Sequence, residues 1–154
     1  MSRSEIQMGL MNLHDVFLNA SLQRRSMDRC SVEQDVTFFH MSDRARFERV
    51  WVTFLYVLVE AWQSPPMEPV REHISSVMDV SSLNGVLAEL NSAGDLAKMR
   101  EVRDYMCHRD RREYWDTGRV AVAGMLSTHV ALHDAFGDML LKGLEPFTQP
   151  VDSE

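Results

Sequence analysis

Apolar residues recur along this chain at three- and four-residue steps, with polar residues between them, the pattern of helices that bury one face. Ile6, Leu10, Leu13, Phe17 and Ala20 predict a first helix over residues 5–23, after which Arg24, Arg25 and Ser26 open a connector reaching Thr37. A second helix is predicted over residues 43–63, with Ser42 as its N-cap. Its Phe47, Val50, Trp51, Phe54, Leu55, Leu58 and Trp62 give a face wide enough to place it centrally. Ser64, Pro65 and Pro66 end it, because proline cannot continue a helix and disfavours one in the residue before it. A short helix follows over residues 68–77. A third long helix starts near Ser82 or Asp95 and reaches Cys107 or beyond, with Gly94-Asp95 the point at which it would divide. Leu96, Met99, Val102 and Met106 form its stripe. Tyr114, Trp115 and Asp116 read as a structured loop ending near Gly118. The last helix is predicted over residues 119–142, its stripe running through Val122, Met125, Leu126, His129, Leu132 or His133, Phe136 and Leu140, and Gly143 is the expected stop.

These elements predict an all-α protein, a four- to five-helix bundle in one domain over residues 1–144, with a mobile tail over residues 145–154. An all-β fold needs turn residues every few positions, and seven glycines and five prolines leave long runs without any. The eleven methionines read as core gap-fillers. Two distant cysteines, Cys30 and Cys107, make no disulfide framework, so the expected compartment is the reducing cytoplasm. The N-terminal residues contain no apolar signal-peptide core. The longest apolar stretch, residues 50–61, is broken by Thr53 and Glu60 and is too short to span a bilayer, so no membrane partner is expected.

A net charge of −7 argues against a protein that coats nucleic acid without specificity. The charge is uneven, however. Between Lys98 and Arg119 seven basic residues face five acidic ones, so that window is net +2 and the rest of the chain −9. An anionic ligand should be sought there, unless the charges form a solvated helix face laced with ion pairs.

Within the window stands Arg103-Asp-Tyr-Met-Cys-His108. Metal-free ribonuclease chemistry needs a base for a ribose 2′-hydroxyl and cationic donors for the phosphate oxygens. Histidine titrates near neutrality and suits the first task. Arginine stays charged and grips phosphate bidentately, which suits the second. Spacing alone does not single the pair out, since roughly 0.5 Arg-His pairs fall by chance at any one spacing in this composition. On one helix the two side chains would stand about 140° apart. They converge on one phosphate if the helix ends near Cys107, or if two copies of the motif meet in a dimer.

The segment resembles the HEPN superfamily (higher eukaryotes and prokaryotes nucleotide-binding), whose motif is an arginine, a polar residue and, a few residues on, a histidine. Arg103, Asp104 and His108 match it near the end of a late helix; aromatic and acidic residues and a long closing helix follow, and the resemblance extends over residues 43–143. It implies a helical homodimer that joins two motifs in one cleft and cuts RNA without a metal or other cofactor, as in toxin–antitoxin and phage-defence systems. His108 would be the general base or acid, Arg103 would stabilise the transition state, and Asp104 would orient one of them. Arg100 or Arg109 would hold a flanking phosphate. An antitoxin or a nucleotidyltransferase would be the expected partner. Other members bind nucleotides or proteins without cleaving, and for such a protein Arg103 and His108 would be structural.

His129 and His133 form a separate constellation. At i and i+4 both imidazoles share one helix face, as a divalent metal site requires, with His73, His40 or Glu60 as a third ligand. This resembles the three-histidine sites of DinB-like bundles. The alternative is a pair of buried core histidines. No Gly-rich phosphate loop or Gly-x-Ser-x-Gly elbow occurs.

Overall fold

The computed structural model describes residues 2–30, 43–107 and 126–148. These residues are all-helical: α1 (Arg3–Arg29), α2 (Asp43–Gln63), a 3-10 turn (Pro65–Met67), α3 (Glu68–Val77), α4 (Ser81–Ser92), α5 (Asp95–Cys107) and α6 (Leu126–Thr148). Six α-helices among the described residues exceed the four or five expected. The division near Gly94 accounts for one: Gly94 takes φ +74°, a left-handed conformation that ends α4 and lets α5 start afresh.

Helix α1 runs six residues beyond its expected end. Ser2 and Glu5 form a reciprocal capping box at its start, with Ser2 N–H donating to Glu5 Oε2 at 2.6 Å. At its far end Met27 is buried and Arg24 is held by α6, so packing carries the helix past the polar run that reads as a connector. Helices α2 and α3 keep their expected limits. Arg71 of α3 donates to the carbonyls of Trp62 and Ser64, satisfying the end of α2 at the Pro65-Pro66 corner. Ser42 lies outside the described residues, as do Tyr114, Trp115, Asp116 and the predicted first turns of the last helix.

Helix α6 does not stop at Gly143. It passes through Gly143 and Pro146 to Thr148, so the first four residues of the expected tail are helical. Gly143 serves packing here: a Cβ there would come within 2.8 Å of Ile74 Cδ1. Beyond it, Phe147 packs on the core and Arg3 donates to the Pro146 carbonyl at 3.0 Å.

The predicted stripes meet in one core. Trp51, Leu55 and Leu58 of α2 join Leu10 and Leu13 of α1, Ile74 of α3, Leu90 of α4, Met99 of α5 and Phe136 and Leu140 of α6. Trp51, Leu55, Leu58 and Trp62 of the α2 stripe are therefore interior, and Phe47, Val50 and Phe54 are half-buried. Helix α5, which carries Arg103, packs against α2 and α4. No helix of the described residues is long and apolar enough to cross a membrane.

Candidate functional site

Arg103 lies one turn before the last described residue of α5, on the side facing α2. Its Nη2 donates to Glu60 Oε1 at 2.9 Å, and its guanidinium carbon stands 5.2 Å from the centre of the Tyr56 ring. Both neighbours come from α2, where residues 56 and 60 share a face at i, i+4 spacing. Asp104 Oδ1 is 3.1 Å from Arg103 Nε, yet that buried N–H is not aimed at it and has no hydrogen-bond acceptor among the described residues. Asp104 is thus a charge neighbour of Arg103 and leaves one guanidinium donor unspent. Burial pushes the Tyr56 phenol above its ordinary value, and the Glu60 charge adds to the effect.

Arg100 and Asp104 approach to 3.9 Å across one turn, and Lys98 pairs with Asp95 at 2.8 Å. The described part of the basic window is therefore laced with ion pairs. The structure brings Arg103, Asp104 and Arg100 into one neighbourhood. His108 and Arg109 lie outside the described residues. Glu60 is a partner that sequence spacing could not reveal, because it sits 43 residues away on another helix.

The second histidine pair occupies a buried polar cluster centred on Trp51. The rings of His129 and His133 both stand edge-on to Trp51, with centroids 6.0 Å away, and the Arg24 guanidinium lies 5.9 Å from the same ring. His129 is fully buried, and among the described residues neither of its ring nitrogens nor the Trp51 indole N–H has a hydrogen-bond partner. Burial lowers the His129 pKa to about 4, with Asp95 pulling weakly the other way. His129 is therefore a neutral core residue at physiological pH.

His133 is differently placed. Its Nε2 is 3.1 Å from Ser21 Oγ, and its Nδ1 is 3.4 Å from Asp134 Oδ1, the outline of a Ser-His-Asp triad. The polarity is reversed, however. Arg24 Nη1 stands 2.8 Å from His133 Nδ1 and 2.6 Å from Asp134 Oδ1. A guanidinium only donates, so Nδ1 must accept and the ring proton sits on Nε2, pointing at Ser21. Nε2 then cannot take the hydroxyl proton. Burial lowers the His133 pKa as well, and the Arg24 charge reinforces it against the pull of Asp134.

The same arrangement does not make the two histidines a metal pair. The lone pair on His133 Nδ1 is occupied by Arg24, a cation where a metal would need an anion or a neutral donor. Of the expected third ligands, Glu60 pairs with Arg103, His73 packs beside Phe147 and His40 lies outside the described residues. No group of three or more His, Cys, Asp or Glu side chains suited to a metal is assembled among the described residues.

Compared with known proteins, the chain matches no family model, no curated protein and no solved structure.

Proposed function

We propose that this protein is a HEPN-like, metal-independent endoribonuclease that works as a homodimer, of the kind found in toxin–antitoxin and phage-defence systems. The observation that carries the reading is the setting of Arg103, held between Glu60 and Asp104 over Tyr56 near the end of α5, five residues before His108. A guanidinium preorganised by two carboxylates is suited to a phosphate oxygen whose charge grows in the transition state. His108 removes the proton from the ribose 2′-hydroxyl and a histidine returns one to the leaving 5′-oxygen, giving a 2′,3′-cyclic phosphate. Asp104 positions the guanidinium, and Arg100 or Arg109 receives a neighbouring phosphate.

One observation favours a second reading. The Arg103 charge already faces two carboxylates, as it would in a non-catalytic helical protein that binds nucleotides or other proteins. The readings part on the Arg103→Ala variant. An endoribonuclease loses roughly a hundredfold or more of its cleavage rate with only a small loss of stability. A purely structural Arg103 yields lower stability and no nuclease activity to lose. Cleavage of a mixed RNA in EDTA, followed beside thermal unfolding, distinguishes them.

A further inference from the structure

Helix α1 has two stripes, and the core of the described residues uses one. Leu10, Leu13, Ala20 and Met27 enter the core. On the opposite face stand Met8, Met11, Leu18 and Leu22, with relative exposures of 58, 48, 52 and 59%. Asp15 lies among them and Arg25 and Arg29 continue the line, all exposed. The steps from residue 8 to residue 29 alternate between three and four, the spacing of a coiled-coil seam. A helix surface destined for water carries polar residues at such positions.

The charges on this seam identify its occupant. Neither Asp15 nor Arg25 forms an ion pair among the described residues. Two parallel copies would set Asp15 against Asp15 and Arg25 against Arg25. Two antiparallel copies with Leu18 of one against Leu22 of the other set Asp15 against Arg25, and the two-fold axis makes the pair twice. Met11 then lies along the aliphatic stem of Arg29. Sliding the pair by one heptad instead puts Asp15 against Leu18 and buries a carboxylate without a partner. We propose that α1 docks a second copy of this chain, antiparallel, with Leu18 and Leu22 at the centre and reciprocal Asp15–Arg25 pairs on either side. The contact is isologous, as a closed dimer requires. It is defined by α1 alone and makes no use of Arg103 or His108.

The test is the mass of the full chain by sedimentation equilibrium, for the parent, Asp15→Arg, Arg25→Asp and the double exchange. All three variants change exposed positions, and far-UV circular dichroism verifies their helix content. Each single change turns two attractive pairs into two repulsive ones and should raise the dimer Kd about tenfold or more. The double exchange should return it to within about threefold of the parent. A monomeric parent, a dimer indifferent to the single changes, or a double variant as weak as the singles overturns the proposal. RNA cleavage is not read: a dimer indifferent to the single changes overturns the α1 contact and leaves the ribonuclease reading standing, whereas a monomeric parent removes the homodimer from both.

Discussion

His129 makes the sharpest case at the scale of one residue. It is buried with no partner for either nitrogen among the described residues, so its burial favours the neutral ring. Its pKa falls from 6.5 in the unfolded chain to about 4 in the fold. The unfolded state therefore binds the proton more tightly, and the stability that a neutral His129 allows is complete above about pH 6.5 and is lost as the pH falls towards 4. Between about pH 7 and pH 5 the loss should be about 2 kcal/mol, and His133, lowered for the same reason, adds to it. Urea denaturation at both pH values should show a flatter acid limb for His129→Leu than for the parent. Equal limbs would mean that His129 is solvated or partnered. The periodicity showed that His129 and His133 lie on the buried stripe. It could not show that Arg24, Ser21 and Trp51 surround them, because those neighbours arrive from α1 and α2 through the tertiary fold.

Elements were legible where the chain carries local punctuation. Pro65 and Pro66 mark the end of α2, and Gly94 marks the break between α4 and α5. Legibility failed where packing overrode local preference. Arg24 and Arg25 read as the end of a helix, yet Met27 is buried beyond them; Gly143 reads as a stop, yet it is the close contact between α6 and Ile74. Two glycines test the distinction. Gly85 lies exposed inside α4, and an added Cβ meets nothing within 4 Å, so Gly85→Ala should stabilise the protein by roughly 0.5–1 kcal/mol. Gly94 also has open space around it, but its φ of +74° penalises a side chain, so Gly94→Ala should cost about 1 kcal/mol. Denaturant midpoints of the two variants should move in opposite directions. The exposed α1 stripe belongs at this scale too. The α1 stripe read from the sequence, through Leu10, Leu13 and Ala20, is the one the core uses, and burial adds that a second stripe stays exposed on the opposite face.

For the whole molecule, the net charge of −7 and the carboxylates around Arg103 limit any RNA contact to a small basic region. Binding carried by so few cations should depend weakly on salt, with a slope set by the few phosphates neutralised. The Arg-x4-His motif was legible as a local string, whereas the Glu60 and Tyr56 setting of its arginine was not, since both come from α2. The most direct measurement compares the full chain with its His108→Ala variant on a mixed RNA in EDTA, mapping the ends of the products. The ribonuclease account predicts cleavage by the parent with 2′,3′-cyclic phosphate ends, and a fall of about a hundredfold or more in the variant. Equal cleavage by both proteins, or none by either, would contradict it and leave Arg103 with the structural part that its ion pairs already describe.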